Sequence, residues 1–273
     1  MIRLLQIEWL KLRHYKPFWI LMGLSTFITV VVCGSGMFFL EYLKKEGADF
    51  RGINPTLLPI YDFPDIWQNL TYVASFFKIF PAFLVIITIS NEFNYRILRQ
   101  NIIDGLSKKE WLLSKILFLG TIALFCTSLV FLIGLLTGGI YAHPDSTPYI
   151  FSSTSFLLAY FFDVFIYLLL ALLLTLIVRR AGLVIVGLFM YTFILEPFLS
   201  LFLENYPHLP DFYRPLAAFL PVEAIHRLIP IPFPRYALRE IQDYVSFKEM
   251  AIVFVWMCFY IGVSYWILKR KDL

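Results

Sequence analysis

Three ionisable side chains interrupt stretches of sequence that are otherwise apolar: Lys78, Asp163 and Glu196. An ionised group at the centre of a bilayer costs at least about 2.5–3.5 kcal/mol on insertion scales, so such residues usually face a bundle interior or water. All three are expected in the outer half of a spanning helix, and this common depth would permit a Lys–carboxylate pair. The patch could line a polar path, clamp helices together or snorkel to the membrane surface.

A second candidate is Glu223-x-x-His226, which would place two potential metal ligands on one face of a helix. A metal site needs more ligands than these two, and we predict no metal site. The sequence also has no HExxH pair and no nucleophile elbow. A membrane-embedded enzyme would therefore have only Lys78, Asp163 and Glu196 available as clustered catalytic groups.

The elements that must carry these residues follow from composition. Hydrophobic residues make up 60% of the 273 residues and charged residues only 15%, against roughly 25% in an average soluble domain. A spanning helix needs about 20 apolar residues, and unpaired backbone groups are not tolerated in lipid. The sequence therefore predicts an all-α polytopic membrane protein with six transmembrane helices. The expected spans are Pro17–Leu40, Leu70–Asn91, Ile116–Ala142, Phe151–Val178, Ala181–Leu203 and Met250–Leu268.

The flanking segments complete the predicted organisation. Residues 1–16 form an amphipathic interfacial helix, residues 17–203 hold spans one to five, and residues 249–273 hold the sixth span and a tail. Most Lys and Arg residues flank the ends that lie on the side of the termini, so the positive-inside rule places both termini in the cytoplasm of a multi-pass protein of the cell (inner) membrane.

The segment 204–248 is predicted to be an external loop with short helices. Leu216 to Ile229 reads as one amphipathic helix, with Glu223, His226 and Arg227 on its polar face, and Tyr236 to Tyr244 reads as a second. Such a loop could cover the outer mouth of a path or could rest on lipid.

The loop between the second and third spans is the most informative segment. The helix of the second span is expected to continue to about Ile103, where Asp104 and Gly105 end it, with Gly105 in the left-handed conformation. Ser107 and Glu110 have the spacing of a capping box that starts the next helix. The result is a tight, basic helix–turn–helix.

This segment resembles the permease subunits of type-2 ABC exporters. That family typically has a Glu at the end of the second span, then Gly-Thr, a basic residue, a short apolar helix, Ser-Arg and a later Lys. The matching residues are Glu92, Arg99, Gly105, Ser107, Lys108 and Lys115. The chain departs from the pattern where Arg96-Ile97 replaces Gly-Thr and where Lys108 replaces Arg.

The resemblance implies that residues 92–111 form the coupling helix that docks on a separate ATP-binding subunit. The residues implied in this contact are Glu92, Arg96, Arg99, Asp104, Gly105, Ser107, Lys108 and Glu110. It also implies a dimer of permease chains, either homo- or heterodimeric, in contact with membrane lipid. The chain itself has no P-loop, so we expect no cofactor here, with ATP and magnesium in the partner subunit, and no nucleic-acid partner.

Two further hypotheses stay open at this point. A self-contained secondary transporter would show an internal repeat and broken helices around a midplane site. A membrane-embedded enzyme would need catalytic groups gathered at one depth. The basic loop could also simply face anionic lipid.

Overall fold

A computed structural model describes residues 2–45, 60–205, 210–232 and 244–270. These residues form helices and connecting loops, with no strand among them. The first six α-helices are α1 (Ile2–Leu12), α2 (Lys16–Gly34), α3 (Gly36–Lys45), α4 (Asp65–Ser75), α5 (Ile79–Asn94) and α6 (Ile97–Ile103). They are followed by α7 (Lys108–Tyr141), α8 (Ser155–Val178), α9 (Ala181–Met190), α10 (Glu196–Asn205), α11 (Pro221–His226) and α12 (Phe247–Arg270).

Six helices or joined helix pairs of the described chain are long and apolar enough to cross a membrane, as the sequence predicted. Four of these spans are the single helices α2, α7, α8 and α12. The second span joins α4 to α5 through a 3-10 turn at Phe76–Lys78. The fifth joins α9 to α10 through a π-helical turn at Tyr191–Leu195.

The α8 helix lies at the centre of the bundle. It packs against α4, α5, α7, α9 and α12, and 72% of its most apolar window is buried inside the protein, against 22% for the fifth span. A helix that is apolar all round must be surrounded by other helices or by lipid. The position of α8 explains why Asp163, on this helix, is held away from lipid.

Close packing between α7 and α4 depends on two glycines. A Cβ atom at Gly134 would lie 2.6 Å from Cζ3 of Trp67, and a Cβ atom at Gly138 would overlap the ring of Phe63. Small residues let helices approach closely in membranes, where packing replaces the hydrophobic effect as the driving force. The aromatic rings of α4 and of the preceding loop therefore fill the space that these glycines leave.

The bundle has two ends, which we call the terminal side and the far side and define by the elements that each carries. The terminal side carries α1, α6 and the end of α12, and Lys108 Nζ there donates to the carbonyl oxygen of Lys269. The far side carries α11 and the 3-10 turn at Pro144–Tyr149.

Two expected helices are interrupted. The helix of the second span does not continue to Ile103, because α5 ends at Asn94 and Arg96 adopts a left-handed conformation with φ of 56° before α6 begins. The first span likewise does not run unbroken to Leu40, since α2 ends at Gly34 and α3 follows Ser35.

The far-side segment also differs from its expected single helix over Leu216 to Ile229. A 3-10 helix covers Asp211–Phe219, Leu220 is extended, and α11 begins at Pro221. A proline is compatible with the first turn of a helix but not with its interior. The expected apolar face is nevertheless buried, at Ala218, Val222, Ile225 and Ile229. The helix expected for Tyr236 to Tyr244 lies outside the described residues except at its last position.

Candidate functional site

On the terminal side, two lysines and two glutamates from three helices form a buried ion cluster. Lys115 Nζ lies 2.6 Å from Glu8 Oε2 and 2.5 Å from Glu92 Oε1. Lys11 Nζ completes the cluster at 3.2 Å from Glu8 Oε1 and 3.4 Å from Glu92 Oε1. Trp111 Nε1 donates to Glu92 Oε2 at 2.9 Å. The two positive and two negative charges balance, as buried charges require.

The cluster joins elements that are distant in sequence. Glu8 and Lys11 come from α1, Glu92 from the last turn of α5, and Lys115 from the third turn of α7. The side chains of Glu8, Glu92 and Lys115 are each less than one-tenth exposed. Since breaking a buried pair leaves an uncompensated charge, the cluster fixes α1 and α7 against the end of α5.

Glu92 therefore points into the cluster and is only 6% exposed. The sequence-based prediction that Glu92 contacts an ATP-binding subunit thus concerns a buried side chain. Sequence reasoning missed Glu8 and Lys11 altogether. A signal was present: Glu8 lies on the same helical face as Leu5 and Leu12, where an acidic residue interrupts the apolar stripe.

The helix–turn–helix next to this cluster has the predicted turn. Gly105 has φ of +98°, the left-handed region that glycine favours. Ser107 Oγ accepts from the Glu110 backbone N–H at 3.2 Å, and Glu110 Oε2 accepts from the Ser107 N–H at 2.9 Å. Both bonds of the predicted capping box are thus present.

The outer surface of this hairpin presents mixed side chains. Arg96, Arg99 and Asp104 are exposed, and two apolar residues that the sequence interpretation did not single out, Tyr95 and Ile103, are each 75% exposed. We call these five residues the α6 surface. The outer surface of the hairpin therefore exposes both charged and apolar side chains.

On the far side, Lys78 and Asp163 form the predicted Lys–carboxylate pair. Lys78 is 4% exposed and Asp163 1% exposed, and the ammonium donates to Asp163 Oδ1. The ammonium also lies 5.3 Å from the centre of the Tyr167 ring, a cation–π distance. The 3-10 turn that ends at Lys78 directs this side chain from the second span towards the centre of the bundle.

Glu196 does not join that pair. Its Oε1 accepts from the backbone N–H groups of Val222 and Glu223 at 2.5 and 2.8 Å. These are free donors in the first turn of α11, where a carboxylate is favoured by hydrogen bonding and by the helix dipole. Glu196 therefore attaches α11 to the fifth span.

On the predicted polar face around α11, Arg227 and Glu223 form ion pairs, whereas His226 lines a cavity. Arg227 binds Glu223 at 2.9 Å and Glu204 at 2.6 Å. Burial alone would lower the pKa of Arg227, but the two carboxylates outweigh it and raise the pKa, so the guanidinium stays charged.

A cavity of about 750 Å³ lies between α11, the second span and α12, and Asp163, His226 and Glu249 are among its lining residues. His226 is accessible because it lines this cavity. Burial by surrounding protein atoms and the charge of Lys78 lower its pKa to about 3, so the imidazole is neutral at pH 7. Among the described residues, no three His, Cys, Asp or Glu side chains converge as a metal site would require.

Six apolar spans, five of them arranged around the central α8, and a capped helical hairpin on one side define a polytopic helical membrane protein. The family of ABC-2 family transporter proteins matches residues 65–268 by its sequence model. The match covers most of the chain, so this protein belongs to the ABC-2 transporter family, a family of membrane transport components that in general work with an ABC ATP-binding partner. A comparison with curated proteins gave no match.

Proposed function

We propose that this chain is the permease subunit of an ATP-driven exporter and that the α6 surface docks on a separate ATP-binding subunit. The observation that carries this proposal is the buried ion cluster beside that surface. A docking element transmits a push only if it moves together with the spans, and the cluster ties the ends of the second and third spans to each other and to α1.

In this proposal, ATP binding closes two nucleotide subunits, which push on residues 92–111. ATP and magnesium are held by those subunits, and this chain supplies no cofactor. Two permease chains, identical or different, then rock against each other and open a path to the outside. The low burial of the first, fifth and sixth spans, at 28%, 22% and 28% of their apolar windows, leaves large apolar faces for membrane lipid and for the second chain. We assign no role to nucleic acid.

The proposed orientation places the terminal side in the cytoplasm of the cell membrane. The exposed basic residues that support it lie around α1, α6 and the ends of α8 and α12: Arg3, Arg13, Lys16, Arg96, Arg99, Lys109, Arg180, Lys269 and Arg270. Such an excess of Lys and Arg beside short loops is typical of cytoplasmic ends.

The first test is purification of the chain, expressed with its neighbouring genes, in a mild detergent, followed by mass spectrometry of the co-eluting proteins. We expect a stoichiometric ATP-binding subunit, and we expect Arg99→Glu on the α6 surface to remove most of it. Arg180→Glu is the matched control, because Arg180 is exposed on the same side but lies outside the hairpin. A subunit retained equally by both variants would refute the α6 surface as its docking site.

A second measurement separates docking from coupling. Ser107→Ala removes the cap of α7, which costs about 1 kcal/mol, while the α6 surface is kept. We expect this variant to retain the ATP-binding subunit but to transport less per ATP hydrolysed. If the chain elutes alone under conditions that preserve other membrane complexes, a self-contained secondary transporter or a membrane-embedded enzyme becomes the better explanation.

A further inference from the structure

Asp163 and Glu249 line the far-side cavity, and each has one buried carboxylate oxygen that lacks a hydrogen-bond partner among the described residues. We propose that this cavity binds an organic cation with an apolar body, such as a long-chain or aromatic amine, whose ammonium group is held by Asp163 and Glu249. Both residues line the cavity, and they come from α8 and α12, which pack against each other.

The unpartnered oxygens are the first argument. Lys78 binds only Oδ1 of Asp163, and neither Oδ2 of Asp163 nor Oε2 of Glu249 has a partner among the described residues. A buried acceptor without a donor is costly and uncommon in folded proteins. An ammonium group carries three N–H donors and can supply the donor that such a carboxylate oxygen lacks.

The charge balance around the cavity is the second argument. Lys78 neutralises Asp163, and the single guanidinium of Arg227 is shared by Glu223 and Glu204. Glu249 has no cationic partner within the described part of the chain. His226 adds no positive charge at pH 7, because it is neutral. Among these described residues the carboxylates outnumber the cations, which favours a positive ligand.

The remaining walls select the rest of the ligand. Tyr72, Phe76 and Tyr244 contribute aromatic rings, and Ile231, which is 56% exposed, contributes aliphatic surface. Aromatic faces attract cations as well as apolar groups. The volume of about 750 Å³ is typical of pockets for small organic ligands. An inorganic cation would leave this apolar surface unused, whereas an amphipathic amine covers it.

Binding at this site requires neither ATP nor a partner chain, and only the further step of naming such amines as the cargo rests on the proposed function. A failure of one therefore does not imply a failure of the other. Loss of the cation site would leave the docking of the ATP-binding subunit on the α6 surface intact, and the reverse also holds.

The test uses the full-length protein in lipid nanodiscs and dansylcadaverine, a fluorescent primary amine whose emission reports an apolar environment. Nanodiscs without protein give the background from lipid partitioning. A dansyl-linked alkyl carboxylate of similar length is the matched probe of opposite charge. We expect saturable binding of the amine and none of the carboxylate.

Glu249→Gln keeps the size of the side chain and removes its charge, so we expect the dissociation constant for the amine to rise about tenfold. Asp163→Asn should weaken binding by at least as much, and Glu249→Gln provides the readout if loss of the Lys78 pair prevents that variant from folding. Glu41→Gln, an exposed glutamate outside the cavity, should bind like the wild type. Equal affinity of Glu249→Gln and wild type, or equal binding of the two probes, would overturn the proposal.

Discussion

At the residue scale, Lys115 is the centre of the terminal-side cluster, because it contacts both Glu8 and Glu92 within 2.6 Å. The other lysine of the cluster, Lys11, is 26% exposed and approaches both carboxylates only at 3.2–3.4 Å. Interaction energy rises as distance and solvent screening fall. The two lysines are therefore unequal, and Lys115 holds most of the electrostatic stabilisation.

We expect Lys115→Ala to lower the free energy of unfolding by about 3–5 kcal/mol, since it leaves two buried carboxylates with one partly exposed cation. Thermal unfolding of the purified protein in detergent measures this loss. Lys109→Ala, at an exposed lysine on the same helix, removes only a cation–π contact with Tyr265 and should change stability by no more than about 1 kcal/mol. Similar melting temperatures for the two variants would contradict the assigned weight of Lys115.

The sequence allowed the Lys78–Asp163 pair to be predicted but not the roles of Glu8 and Glu249, and the difference has a physical reason. Charged residues such as Lys78 and Asp163 are easy to recognise in an apolar stretch of sequence, because an ionised group is costly in lipid. Their common depth in the predicted spans indicated that they could pair. Glu8 lies within α1, where the signal was one acidic residue in the apolar stripe, and Glu249 lies in the first turn of α12, where an acidic residue is ordinary. Only the packing of other helices shows that the first is buried in an ion cluster and that the second lines a cavity.

At the element scale, helix breaks were harder to predict than helix positions. Hydropathy located all six spans, but it does not register the break at Arg96, where a non-glycine residue adopts φ of 56°. The related pattern has a Gly-Thr pair at this place, and a glycine would adopt this conformation without a steric cost. Arg96 thus occupies a backbone position that suits glycine. Its left-handed conformation interrupts the right-handed helix and so separates α5 from α6.

The contact between α7 and α4 gives a prediction at the same scale. Gly134→Ala places a methyl group against Trp67, a fully buried ring, and we expect a loss of about 1–3 kcal/mol from overpacking. Gly139→Ala is the matched control on the same helix, because no atom lies within 4 Å of its added Cβ. That variant should be neutral or gain up to about 1 kcal/mol from helix propensity. Chemical or thermal unfolding of both variants decides the point, and a Gly134→Ala protein as stable as Gly139→Ala would refute this close approach.

At the scale of the whole molecule, the separation of basic and cavity-bearing ends predicts how the chain lies across the membrane. After replacement of Cys258, the cysteine that is exposed in the structure, single cysteines at Asp145 on the far side and Lys109 on the terminal side report their locations. We expect an impermeant maleimide to label Asp145→Cys in intact cells and Lys109→Cys only after permeabilisation. The opposite labelling pattern would invert the orientation and place the α6 surface outside the cell.

The terminal-side ion cluster also has a consequence for biosynthesis. Glu8 and Lys115 are separated by 107 residues, and at about 5–20 residues per second the ribosome needs roughly 5–20 s to make the intervening chain. Throughout that interval α1 has its acidic side chain but not its principal counterion. The ion pair between α1 and α7 therefore forms only after Lys115 has been synthesised, so the N-terminal helix docks fully on the bundle no earlier than the start of the third span.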